Sequence, residues 1–142
     1  MRAVVQRVCR ARVVVDGEER AAIGAGLCVL VGIARGDGPA GAARLAARIA
    51  SLRVLEGERS LLDLGGSALV VSQFTLLADT KRPKGTRPGY SAAAPKEQAE
   101  PLYEAVCTGL RDLGVPVETG VFGARMEVEL MNDGPVTIVL DV

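Results

Sequence analysis

The chain has 142 residues, 17 basic and 17 acidic, with 49% hydrophobic and 24% charged positions. That size and balance fit one soluble globular domain spanning residues 1–142, and the zero net charge excludes nucleic-acid binding by bulk attraction, leaving only local contacts. There is no histidine, which excludes Ser-His-Asp and Cys-His catalysis and every histidine-ligated metal site.

Residues 2–15 read as a strand, with Val4, Val8, Val13 and Val15 among arginines. Asp16-Gly17 marks a turn, and residues 21–23 return as a short strand. Residues 27–33 are apolar on both faces and predict a central strand covered on both sides. Asp37 as cap and Pro39 near the first position open a helix whose buried stripe is Leu45, Ile49 and Leu52. Residues 53–55 suggest a short strand, 57–60 a turn and 61–64 another strand.

Residues 68–76 form the second central strand, apolar in its first half and then interrupted by Ser72, Gln73 and Thr75. Polar groups at the end of a buried strand need partners. They either bond neighbouring strands or line a pocket. The loop at 81–89 holds four positive charges and no acid; it is either a solvated face or a set of phosphate contacts. Pro95 starts a second helix with Leu102, Val106, Leu110 and Leu113 on its apolar face, Pro101 at a kink or first turn, and Gly114 at its end. Residues 115–119 are a strand, and Gly120 to Gly123 bend toward the final pair. Phe122 there serves core packing or base stacking.

Residues 126–130 and 136–142 read as two antiparallel strands joined at Asn132-Asp133-Gly134-Pro135. This is either a hairpin turn or a rigid backbone finger in which side-chain-free Gly134 approaches a ligand. The N-terminus is broken by charges and does not resemble a signal peptide, and no apolar run is long enough to cross a bilayer. Cys9, Cys28 and Cys107 are scattered and odd in number, pointing to reduced, buried thiols in the cytoplasm rather than to disulfides or zinc.

Four blocks, in order, are similar to one known family. Ser72-Gln73-Phe74-Thr75-Leu76 and Asn132-Asp133-Gly134-Pro135-Val136-Thr137 resemble the two signature motifs of D-aminoacyl-tRNA deacylases. Residues 1–8 resemble the family's N-terminus, and residues 118–124 a further block. The resemblance implies an α+β fold: a β-barrel-like, mixed, largely antiparallel sheet with two main packed helices, assembled as a homodimer. It implies hydrolysis of the ester between a D-amino acid and the terminal adenosine of tRNA, with no cofactor, metal or membrane partner. Gly134 and Pro135, joined by a cis bond, are implied as a cross-subunit filter that rejects L-residues by steric crowding and admits glycine, with Arg7 holding the motif. Ser72, Gln73, Phe74 and Thr75 are implied as the catalytic wall, and Phe122, Gly123 and Met126 as the adenosine site. In the family the tRNA 2′-hydroxyl assists hydrolysis; Thr75 as nucleophile is the competing role, and no base is visible to activate it.

The chain departs from the family pattern at residues 55–60, which are shorter than usual. It departs again at residues 80–89, which are slightly longer and end in Gly89-Tyr90 where Ser-Phe is more familiar. Two other readings stand beside this one. A similar fold edits L-serine from threonine tRNA, against which Gly134 before Pro135 argues. A non-catalytic dimeric RNA-binding module is the alternative from another class, against which the neutral charge argues weakly.

Overall fold

The computed structural model describes residues 1–81 and 85–142. The chain runs β1 (Arg2–Val15), β2 (Glu18–Ile23), β3 (Gly26–Gly32), α1 (Pro39–Ser51), α2 (Leu61–Leu64), β4 (Ser67–Ser72), a 3₁₀ turn (Phe74–Leu77), α3 (Lys96–Asp112), β5 (Val117–Thr119) and β6 (Glu127–Asp141). β1 pairs antiparallel with three strands. Its residues 2–8 meet β3 and its residues 11–15 meet β2, while β6 runs beside it from Arg2 to Val14. β3 then pairs parallel with β4, and β4 parallel with β5. The result is the mixed, barrel-like α+β sheet that was expected, with α1 and α3 as its two main helices.

Alternation along the strands feeds two cores. Leu27, Val29, Val31, Ala68 and Val70 face the helices, together with Leu45, Ile49, Val106 and Leu110. Cys28, Leu69 and Val71 face the inside of the curled sheet. β1 serves both. Ala3 and Val5 belong to the helix-side core, but Ala11, Val13 and Val15, also odd-numbered, belong to the inner one. The switch occurs where Val8 and Arg10 oppose the adjacent residues Asn132 and Met131, leaving Cys9 as an extra residue. A one-residue bulge exchanges the faces of every residue beyond it. It also explains why Cys9 is exposed, contrary to expectation, while Cys28 and Cys107 are buried. Burial raises the thiol pKa of both to about 11. The two helices approach closely at Gly109, where an added Cβ would lie 2.9 Å from the Ala46 Cβ.

Several local expectations are corrected. Asp37 does not cap α1; Gly38 occupies that position, and the Asp37 carboxylate accepts from the Ala34 N–H at 2.7 Å. Residues 53–55 form no strand, and only an isolated bridge joins Leu55 to Arg59. Residues 61–64 are helical, not extended. Ser60 Oγ accepts from the Asp63 N–H, the Asp63 carboxylate accepts from the Ser60 N–H, and Gly65 closes the turn at φ 67°. This reciprocal pair overrides the strand propensity of three leucines. Leu113 lies past the end of α3 and is exposed rather than on its buried face. Pro101 sits inside α3, beyond its first turn. Among the described residues, no helix is long and apolar enough to cross a membrane.

The Ser60 cap generates a prediction. Ser60→Ala should cost about 1 kcal/mol, seen as a fall in melting temperature of about 3–5 °C. The Asp63 carboxyl is held below its ordinary range, first by the Ser60 N–H and then by its hydroxyl. A depressed folded pKa contributes stability that is complete above the unfolded value, about 3.9, and is lost as pH falls through the folded one. Thermal melts of wild type and Asp63→Asn should therefore begin to converge as the pH falls below the unfolded carboxyl's value of about 3.9. A constant gap would contradict the cap.

Candidate active site

β4 pairs with β3 as far as Val31 opposite Ser72, and the Gln73 N–H makes one further bond to the Val31 carbonyl at 2.8 Å. The chain does not continue as the expected strand to residue 76. It tightens into the 3₁₀ turn Phe74–Leu77 and folds down over β3. The glycine at position 32 makes room for it: a Cβ there would lie 2.4 Å from the Leu77 side chain and 3.0 Å from the Gln73 carbonyl. The Phe74 and Thr75 N–H groups open this turn, so they have no carbonyl partner within it. Gln73 Nε2 donates to Thr75 Oγ1. An amide cannot accept a proton from Thr75, so this contact does not activate the hydroxyl.

On the neighbouring side, β4 and β5 stay paired only to Val70 opposite Thr119. One last bond runs from the Gly120 N–H to the Val70 carbonyl at 3.2 Å. Beyond it the two segments diverge, and the gap becomes two adjoining cavities of about 240 Å³ each. Ser72, Gln73, Phe74 and Gly123 line both. One cavity adds Val31, Ile33, Ala94, Lys96, Ala99 and Phe122. The other adds Val71, Ala124, Met126 and Val128. Phe122 and Met126 thus stand on opposite sides of Gly123. Thr75 is set back from both cavities. Phe74 is 57% exposed and meets Tyr90 edge to face at 5.1 Å between ring centres.

The Asn132–Val136 segment is not a hairpin turn. Both of its arms pair with β1, as one strand. Gln6 opposes Thr137 and Val8 opposes Asn132, so the four residues 133–136 bulge out opposite Arg7 alone. Asn132 Nδ2 closes the neck of this bulge by donating to the carbonyls of Arg7 at 2.9 Å and Val136 at 3.0 Å. Arg7 fixes its base: Nε donates to the Asp133 carbonyl at 3.1 Å, and a terminal nitrogen donates to the Val54 carbonyl at 3.0 Å. The Gly134-Pro135 bond is cis, and Gly134 has φ 122°, a conformation open to glycine and strained for other residues. A Cβ at Gly134 would lie 2.9 Å from the Arg7 guanidinium and 2.9 Å from a Val136 methyl. Gly134 and Pro135 line neither of the two cavities of their own chain.

Of the residues singled out from sequence, Ser72, Gln73, Phe74, Phe122, Gly123 and Met126 thus come together, Thr75 lies just behind them, and Arg7 joins Gly134 and Pro135 elsewhere. Sequence reasoning missed the brace by Asn132 and the wall formed by Ala94, Lys96 and Ala99 at the start of α3. Asn132 lay within a quoted motif, but nothing in the chain order announces that α3 begins beside β4. In the basic loop, Arg82 and Lys84 lie outside the described residues.

A family model described as D-Tyr-tRNA(Tyr) deacylase matches residues 4–141. The D-aminoacyl-tRNA deacylase of Kineococcus radiotolerans is 58% identical over 142 residues, covering 99% of each chain. That of Anaeromyxobacter dehalogenans is 58% identical over 146 residues, covering 99% of this chain and 97% of the relative. A solved structure described as c-Myc DNA Unwinding Element Binding Protein shares 43% identity with a TM-score of 0.92, covering 100% of this chain and 99% of the other. Another, of a probable eukaryotic D-amino acid tRNA deacylase, is 16% identical with a TM-score of 0.83 over 99% of this chain and 98% of the other; it carries the fold alone.

The bracing of Gly134 by Arg7 can be tested without any substrate. A lysine cannot reach the Asp133 and Val54 carbonyls together, because it lacks the guanidinium fork. In Arg7→Lys the amide order parameter of Gly134 should fall from about 0.85 toward about 0.6. The melting temperature should change by only a few degrees. An unchanged order parameter would show that Asn132 alone holds the bulge.

Proposed function

The chain belongs to the D-Tyr-tRNA(Tyr) deacylase family, and we propose that it hydrolyses the ester linking a D-amino acid to the 3′-terminal adenosine of tRNA. The observation that carries this reading is the 3₁₀ turn that opens at Phe74, a residue lining both cavities, where the Phe74 and Thr75 N–H groups have no carbonyl partner inside the turn. Water adds to the ester carbonyl, and negative charge develops on the carbonyl oxygen. The Phe74 and Thr75 N–H groups stabilise that charge without reorganisation. The bond to the ribose 3′-oxygen then breaks, and the proton from water passes to that oxygen, releasing D-amino acid and tRNA. Phe122, Gly123 and Met126 hold the adenosine, and Ser72 and Gln73 line the ester.

With no histidine in the chain and an amide as the partner of Thr75 Oγ1, the reaction depends on positioning and on the tRNA 2′-hydroxyl, which assists the attacking water. Thr75→Ala should accordingly retain deacylation within about tenfold of wild type, measured as release of labelled amino acid. Complete loss with an intact fold would restore Thr75 as a nucleophile.

Chirality is read by a second copy of the chain. Gly134 and Pro135 project from a strand that pairs only with β1, away from their own cavities. In a homodimer each motif enters the partner's site, where its carbonyls crowd the direction an L side chain needs. Glycine has no side chain to reject, so mischarged glycyl-tRNA is also a substrate. The experiment is deacylation of D-tyrosyl-tRNA and L-tyrosyl-tRNA side by side, by wild type and Gly134→Val. Wild type should release only the D-residue. Gly134→Val, which places a branched side chain at a left-handed position against Arg7, should release neither while remaining folded. Equal hydrolysis of both esters by wild type would remove the filter role.

The 43%-identical structure described as a DNA unwinding element binding protein favours a second reading, a nucleic-acid binder without catalysis. Such a protein would protect the ester in the same assay.

A further inference from the structure

We infer that Tyr103 is a positioning residue for the adenosine side of the site, setting how far Phe122 stands from the end of β4. The inference rests on the assignment of Phe122 and Gly123 to the terminal adenosine. Tyr103 is 1% exposed and sits in the first half of α3. Its hydroxyl donates to the Val70 carbonyl at 2.7 Å. The same carbonyl accepts the Gly120 N–H at 3.2 Å, the last bond before β4 and the following segment part. The ring of Tyr103 packs on Phe122 at 5.7 Å between centres. One side chain thus touches both sides of the gap at the point where it opens. A phenylalanine would fill the same core volume, so the hydroxyl adds a fixed distance between helix and strand.

The two halves of the site meet at β4 but have different further supports. The Ser72–Thr75 side hangs on β3, through the Gln73 bond to Val31 and the seating of the turn over Gly32. The Phe122–Gly123 side hangs on the Val70 carbonyl and Tyr103. Loosening the second half lowers the fraction of molecules able to receive the nucleotide, which raises apparent KM and Kd by the inverse of that fraction. It leaves the step after binding unchanged. Loss of one neutral hydrogen bond moves the equilibrium between competent and loosened forms by a factor of about 2–10, which reaches Kd in full where the loosened form predominates.

The test compares wild type, Tyr103→Phe, Phe122→Ala, the double variant, and Ile49→Val as a control that loosens the core from α1. Two quantities are measured: steady-state deacylation of D-tyrosyl-tRNA, and equilibrium binding of an uncharged tRNA acceptor minihelix ending in CCA. Tyr103→Phe should raise KM and Kd about fivefold with kcat within about twofold. Ile49→Val should lower the melting temperature without moving KM. In the Phe122→Ala background the Tyr103→Phe effect should vanish, because it acts through that ring. Unchanged KM and Kd, equal losses in the control, or full additivity with Phe122→Ala would overturn the inference. If wild type bound the minihelix but released no amino acid, the hydrolase reading would fail while Kd still decided the role of Tyr103. Absence of both binding and hydrolysis would overturn both.

Discussion

β1 is the constraint on which the rest of the molecule depends. It carries antiparallel ladders to β2, β3 and β6 at once, so any error in its register would propagate through the sheet. Two irregularities are built into its pairing with β6. The extra residue at Cys9 exchanges the faces of the strand and lets one segment serve both cores. The four residues 133–136 opposite Arg7 leave the ladder and expose Gly134 and Pro135. An edge strand interrupted in this way gives up ladder bonds, and Asn132 and Arg7 replace them with side-chain donors.

The cavities arise from the opposite cause, the end of pairing rather than its interruption. β4 loses β5 after Val70 and loses β3 after Gln73. A strand that runs out of partners must satisfy its backbone otherwise, and here it does so by turning into a 3₁₀ segment. That leaves N–H groups without a partner inside the turn, two aromatic rings and several small residues around a gap. Preorganised dipoles of this kind suit a reaction whose charge develops on an ester oxygen, and they need no titrating side chain.

Much of this was legible in the chain. The apolar blocks at 27–33 and 68–71, the helix stripes and the terminal strands all follow from side-chain pattern. The polar interruption at Ser72–Gln73 falls where the β4 ladder ends and two cavities begin. Residues 61–64 show where pattern misleads: a run of leucines looks extended unless the Ser60–Asp63 capping pair is given precedence. The final hairpin shows a deeper limit. Two β-rich arms around Asn-Asp-Gly-Pro satisfy every local rule for pairing with each other. They pair instead with β1, because its 14 residues offer a long ladder that a two-strand hairpin cannot match.

The sequence by itself determined the α+β class, the two helices and most of the core, and it nominated the candidate site residues, because burial preference and motif chemistry are properties of side chains. Only the tertiary structure decided how those residues are distributed. It placed Gly134 and Pro135 on an outward bulge away from their own cavities and set Phe122 and Met126 on opposite sides of Gly123. It also put Tyr103 between the end of β4 and Phe122. Those relations depend on which strands meet and where their ladders stop. They are contacts between residues far apart in the chain, and no local pattern encodes them.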